Sequence, residues 1–406
     1  MGKNKLTLKT VIYLMLFIFI AYSMYLYLTP ETPEKNQLEI HFISVGQGDA
    51  VLIKLPDTKN MLIDAGSNKY SNKVINYIRH QGINQLDYVI ATHPHEDHIG
   101  GLDRVISTFR IGKIFMPDVI HPTRSFEDVL TIIKKKKLRI TPAKKDLVII
   151  NNNKKDLKAV IISPEDKKYD KINNYSVVLK LTYHKTSFLF TGDIEKEIES
   201  KLVNSKYNLR SNLIKIPHHG SATSSSTPFL KEVSPGYAVI SVGRDNDYNH
   251  PSPITLEKLK EMKVKIFRTD KQGTIIVMSD GSRLSFNLQP LEISYQKKNN
   301  NKNKAVKIIS LDLKNEVVVI KNTGNETINL AGWKLVSLKG NQQFNFPDNT
   351  VLKPGQSFKI LSGPSALNKP DNIIWTRSNI WNNSGDGALL TDSNGEIIDR
   401  LLREED

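Results

Sequence analysis

THPHEDHIGG, residues 92–101, crowds three of the chain's ten histidines, an acidic pair and two glycines directly behind an apolar run. A solvated loop has no need of such a set, and a packed core cannot absorb it without partners. His93 and His95 lie two apart, so in an extended segment they point the same way. Asp97 and His98 are adjacent across a turn and face a different side. One short loop thus offers two pairs of ligands, suited to two cations about 3.5–4 Å apart. Gly100 and Gly101 let the backbone turn tightly into the next helix.

Three more apolar runs end in the same chemistry. MLI leads to Asp64, FLFTG to Asp193, and LIKIP to His218 and His219. Functional groups gather where strands end and loops begin. Four strands that deliver only imidazole and carboxylate to one rim predict a metal site without sulfur. The absence of cysteine agrees, since it removes disulfides, thiolate ligands and cysteine nucleophiles together. Asp193 is the natural bridging carboxylate, and His219 completes the set of the second ion.

Around these ends, short apolar runs such as VLIKL, SVVLKLTY and SFLFTGD read as strands. SNKVINYIRHQG and DIEKEIESKLVN have helical spacing, each opened by a Ser or Asp able to cap it. The mixture predicts layered α/β architecture over 38–290. KKNNNKNK lies in a polar linker, 291–304. From 305 to 406, short β-like runs separated by Gly, Asn and Pro predict an all-β sandwich with Trp333 in its core. KKKK at 134–137 reads as a solvated helix face.

Residues 11–28 are eighteen residues without a charge. As a helix they span about 27 Å, enough for a hydrocarbon core. Lys3, Lys5 and Lys9 precede them, which predicts a cytoplasmic stretch 1–10, a single-pass anchor 11–28 in the cell membrane, and extracellular working domains. A cleaved signal peptide is the competing reading. The balance of 57 Lys+Arg against 42 Asp+Glu, a formal charge of +15, favours polyanionic partners or mere solubility, and charge alone does not choose.

THPHEDHIGG resembles the HxHxDH signature of the metallo-β-lactamase superfamily. SVGQGDAVLI, NMLIDAG, FLFTGDI, LIKIPHHGSATSSS, AVISVGRDNDYNHP and FRTDKQGTIIV resemble, in order, the hydrolase part of ComEC-type DNA-uptake proteins. The resemblance implies an αββα sandwich holding two divalent ions, zinc or manganese. It implies His93 and His95 on the first ion, Asp97, His98 and His219 on the second, and Asp193 between them. Asp64 resembles the buried aspartate that orients the histidine loop. Asp49, in GQGDA, either joins that support or closes its own turn. His218 becomes a catalytic group on the substrate side, with a ligand role left open. Asp97 is also placed to steer the proton of the attacking water. His250 and Asn246 either face substrate, His250 as a catalytic group, or close a turn before the next helix. Ser221 is a candidate phosphate contact.

This sequence departs from the pattern twice. No histidine in a matching context stands between the opening motif and Asp193, where only His121 and His184 lie, and Ser44 replaces an Asp found in many relatives. The segment 305–406 resembles a lamin tail domain, which implies DNA or cell-envelope contact. Two ions that ionise water and hold substrate oxygens fit phosphodiesters best. Three readings stand: a membrane-anchored phosphodiesterase or nuclease acting on DNA or another phosphodiester polymer, a cell-wall phosphodiesterase of the phosphorylcholine-esterase kind, and a non-catalytic DNA- or envelope-binding protein.

Overall fold

A computed structural model describes residues 37–291 except 245, and 305–403 except 341, 367–371, 394 and 396, together with Tyr13, 15–20 and Met24. Fifteen strands build the first region. They are β1 (Leu38–Phe42), β2 (Val51–Lys54), β3 (Asn60–Ile63), β4 (Gln85–Ile90), β5 (Arg110–Met116), β6 (Ile140–Pro142), β7 (Leu147–Asn152) and β8 (Leu157–Ser163). They continue as β9 (Val178–Tyr183), β10 (Thr186–Phe190), β11 (Leu213–Lys215), β12 (Tyr237–Ile240), β13 (Lys265–Arg268), β14 (Ile275–Ser279) and β15 (Leu284–Phe286).

Two sheets form, in the orders β15-β14-β1-β2-β3-β4-β5-β6 and β13-β12-β11-β10-β9-β8-β7. Phe42, Phe188, Phe190 and Phe267 fill the space between them. The outer face of the first sheet is covered by the helices Ser71–His80, Leu102–Thr108 and Arg124–Lys135 through Val74, Ile78, Val105 and Val129. The helices Lys196–Val203, Thr227–Val233 and Pro253–Glu261 cover the second through Ile198, Phe229 and Leu259. Four layers result, as the sequence predicts.

Strands β3 to β6 run parallel, as do β10 to β13. Parallel strands covered on both faces read as near-continuous apolar runs, which is the pattern of MLI, DYVIA and FLF. The loops that leave their carboxyl ends carry the polar residues singled out above.

Three local readings need correction. Ser71 lies within its helix behind Tyr70 and its hydroxyl donates to the Asn68 carbonyl, while the second helix begins after Glu195, so neither Ser71 nor Asp193 is a cap. Gly100 and Gly101 have ordinary helical backbone angles. They are needed for closeness instead, since a Cβ on Gly101 would stand 2.5 Å from the Ala65 carbonyl oxygen. Within KKKK, Lys136 is no solvated bystander: its ammonium donates to the carbonyls of Ile106, Ser107 and Phe109 and so closes the end of a neighbouring helix.

After residue 305, one sheet pairs Val306–Asp312, Val317–Asn322, Ser357–Leu361 and Asn372–Ile374, and another pairs Gln343–Asn345, Lys334–Ser337, Asp386–Thr391 and Ile397–Arg403. Trp333, Leu335, Ile360, Trp381 and Leu390 form their shared core. The proposed anchor, 11–28, lies mostly outside the described residues. Tyr13, 15–20 and Met24 are helical and exposed, and among the described residues no helix is long and apolar enough to cross a membrane.

Candidate metal centre

The loop after β4 enters the rim through Thr92, whose backbone N–H and hydroxyl donate to Asp64 at 2.8 and 2.6 Å. Asp64 has no exposed surface and also accepts from His98 Nδ1 at 2.8 Å. With Nδ1 so engaged, the His98 Nε2 atom is aimed at the rim. Burial raises the Asp64 carboxyl from its ordinary range, against the pull of His98.

His219 arrives from the loop after β11, its Nδ1 donating to the Ser241 carbonyl at 2.9 Å. His218 and His219 hold left-handed backbone angles, φ 52° for both. That conformation costs roughly 1–2 kcal/mol for each non-glycine residue, and such strain persists where surrounding structure enforces it. The effect is to turn both rings toward the rim.

The Nε2 atoms of His98 and His219 stand 3.2 and 3.3 Å from Asp193 Oδ2, and His219 Nε2 stands 3.2 Å from Asp97 Oδ2. His93, His98 and Asp193 form one group whose ligand atoms lie within 4.8 Å of one another; Asp97, His98 and His219 form a second. His95 joins neither group. Its ring packs on His93 at 4.7 Å between centroids and on His121 at 5.8 Å. His121, which stands in no matching sequence context, is therefore beside the opening motif. His184 stays remote, next to Asp156 on a turn.

The electrostatics follow from this crowding. Burial opposes charge on His219, yet Asp193, Asp97 and Asp49 outweigh it and raise its pKa to about 10. His98 moves well above its ordinary value in the same contest, drawn by Asp193 and Asp97. Asp193 and Asp97 shift down despite their burial, held by His219 and His98. His93 and His95 are pushed down by burial and by His98. This cage of carboxylates favours positive charge, whether protons or a metal supply it.

Among the described residues, the buried atoms without a hydrogen-bond partner include His98 Nε2, His219 Nε2, Asp193 Oδ1 and Asp49 Oδ1. A buried polar atom left unpaired costs about 1–3 kcal/mol. His98 Nε2, His219 Nε2 and Asp193 Oδ1 converge on one space, which is what a divalent-cation site looks like when only the protein atoms are counted, so the residues fit the group.

Asp49 reaches the site from beneath. It is buried, 3.6 Å from His219 Nδ1 and 3.8 Å from His98 Nδ1, and its other contact is Lys215 Nζ at 2.7 Å. Sequence reasoning missed Lys215. Strand alternation in LIKIP sends a lysine outward, but this central strand is covered on both faces and the ammonium is 2% exposed. Gly48 is required by the same packing: its φ is +131°, and a Cβ there would sit 2.1 Å from the Asp97 carbonyl oxygen.

On the substrate side, His218 and His250 face each other at 5.5 Å, and both line the cavity of about 520 Å³ that opens on Asp97, Asp193 and His219. Burial, then the charge of His219, lowers His250 to about 3, and burial also lowers His218. Both rings are neutral at ordinary pH and able to donate or accept one hydrogen bond. Asn246 does not face substrate. Its amide nitrogen donates to the Gly243 and His250 carbonyls and its oxygen accepts from His250 N, which consumes the side chain in closing the turn. Ser221 is 3% exposed, with its hydroxyl 3.1 Å from that of Thr223.

Residues 43–244 match the metallo-beta-lactamase superfamily and residues 288–403 match the lamin tail domain. The α/β region therefore has the metallo-beta-lactamase fold, and the β-rich region after it matches the lamin tail domain. More particularly, the chain is 31% identical over 254 residues to ComE operon protein 3 of Bacillus subtilis (strain 168), a match covering 58% of this chain and 32% of that protein. It is 28% identical over 249 residues to competence protein ComA of Neisseria gonorrhoeae, covering 61% and 33%. The matched stretch spans about a third of the length of either relative. Among solved structures, the metallo-beta-lactamase fold protein YhfI from Bacillus subtilis aligns with 60% of this chain and 100% of its own, at a TM-score of 0.42 and 13% identity.

Proposed function

We propose that the chain is a phosphodiesterase that takes DNA or another phosphodiester polymer and works through two divalent ions, zinc or manganese. The observation that carries this reading is the convergence of three unpaired buried atoms, from His98, His219 and Asp193. His93, with His95 behind it, would hold one ion; Asp97, His98 and His219 the other; Asp193 would be shared. Ions bound there ionise water near neutral pH and offset charge on phosphate oxygens. Asp64 orients His98 through its Nδ1, the Ser241 carbonyl orients His219, and Lys215 fixes Asp49 behind both rings at 2.7 Å. Neutral His218 and His250 are positioned to donate a hydrogen bond to a phosphate or leaving oxygen. Asp97 would steer the proton of the attacking water. The formal charge of +15 and the competence names of the relatives favour a nucleic acid substrate.

We place the working regions outside the cell, held by 11–28 as an anchor; the three lysines before that uncharged run support this. Protease treatment of intact cells should remove the C-terminal region, and its protection would sink this address.

The activity is tested by purifying residues 31–406, measuring bound metal, and offering bis(p-nitrophenyl) phosphate, DNA, RNA and a phosphorylcholine ester in parallel. Hydrolysis of the first that disappears in Asp193→Ala supports the proposal. No turnover of any substrate with zinc or manganese supplied would defeat it, and DNA retained without cleavage would favour a binding protein.

A further inference from the structure

The cavity over the candidate metal centre does not end at His218 and His250. Those two residues and Tyr248 also line a second cavity of about 570 Å³, whose opposite wall is the C-terminal region, with Lys339, Gln343 and Trp375. Thr223 and Lys339 pass from that cavity into a third, of about 700 Å³, again between the two regions. The three share lining residues in sequence and so make one continuous groove, leading from the metal-facing rim into the seam between the α/β region and the lamin tail domain.

The chemistry of the groove is consistent along its length. At the junction, Tyr248 is 60% exposed, its ring stacked near His250 at 5.7 Å. Across from it, Trp375 is braced edge-on against Trp381 at 5.7 Å and tilted on Phe344 at 5.9 Å. These are an exposed ring and a braced one. Farther along stand Lys196, Lys258 and Arg400. Of the acids beside them, Asp170 adds a negative charge to the lining and the other three are committed. Asp386 accepts from Ser337, Lys339, Asn382 and Gly387; Glu195 pairs with Lys171, and Glu197 with Lys201. Burial, then repulsion from Lys196 with a contribution from Arg400, lowers the Lys258 ammonium from its ordinary value, so the cations gain from a bound anion.

We infer that the lamin tail domain forms the second wall of the substrate groove, and that a single-stranded nucleic acid lies in it with bases against Tyr248 and Trp375 and backbone along Lys258 and Arg400. Aromatic faces followed by a run of cations suit an unpaired strand, whereas a polyol phosphate has no base to stack. The inference deepens the phosphodiesterase reading and rests on it for the substrate class. It gives the C-terminal region a part in substrate binding, in place of remote attachment alone.

The test uses the full chain and a fluorescent phosphorothioate-linked (dT)20, which resists cleavage, with binding read by anisotropy across a salt series. Tyr248→Ala and Trp375→Ala are each expected to weaken binding by about 5- to 100-fold, the worth of one stacked base. Because Tyr248 is exposed, its variant answers even if Trp375→Ala disturbs folding. Lys258→Gln with Arg400→Gln should lower the slope of log affinity against log salt by about 1.4, or 0.7 for each charge. Wild-type affinity and slope in these variants would overturn the inference. So would displacement of the oligonucleotide by poly(glycerol phosphate) as effectively as by unlabelled (dT)20. Turnover of bis(p-nitrophenyl) phosphate by the wild-type chain reports on the metal centre separately, so failure there is distinguishable from failure of the groove.

Discussion

Both halves of the molecule bury carboxylates, and they treat them in opposite ways. In the lamin tail domain, Glu316 accepts from the Ser362 hydroxyl and from the backbone of Ile380 and Trp381, and Asp386 accepts from four donors. Each stitches loops to a sheet. In the α/β region, Asp193 and Asp49 keep oxygens without hydrogen bonds, beside imidazole nitrogens in the same state. All the unpaired buried atoms among the described residues belong to the α/β region. The difference teaches that buried polarity alone does not mark a site. Buried polarity left unsatisfied, and converging, does.

Four experiments break or sharpen that contrast. Asp193→Ala should cut phosphodiester hydrolysis about 10³-fold, the scale of losing a group that meets developing charge, while the circular dichroism spectrum stays native. Activity near wild type would erase the distinction. In the tail, Glu316→Ala strands the N–H groups of Ile380 and Trp381 in a buried setting, which should cost about 3 kcal/mol in urea unfolding of that region. Metal content should not change, and if it falls, the two halves are not independent.

Asp64→Asn retains shape but loses the anionic partner of His98, so metal affinity should drop about 10- to 100-fold by competition with a chelator. The mildest test varies pH. His219, raised to about 10 in the metal-free protein, must shed a proton before its Nε2 can hold a cation. Affinity therefore weakens as pH falls below about 10, by up to tenfold per unit for that one proton. A flat profile between pH 6 and 9 would show that His219 stays outside the coordination set.

Much of this was legible in the chain because two signals coincide at each strand end. An apolar run long enough for a buried parallel strand stops abruptly at His or Asp, as at Ile90–His93 and Phe190–Asp193. Layer order, the paired sheets and the cluster of His93, Asp97, His98, Asp193 and His219 follow from that. Lys215 and the placement of Asp49 did not, because a lysine within a strand gives no local sign that both faces are covered. Asn246 was ambiguous for a different reason. A side-chain amide reaching its own loop and one reaching a substrate leave the same trace in sequence, and only its three backbone contacts decide. His121 comes near His95 through folding of a loop with no periodic pattern to read.

The Asn246 clasp has an evolutionary corollary. One amide fastens both ends of a five-residue span, so the path of the backbone there is set from a single position whatever side chains the tip carries. Such a tip can be exchanged between homologues like a tool head on a fixed handle, retuning which polymer is gripped while the ion-holding machinery is inherited intact.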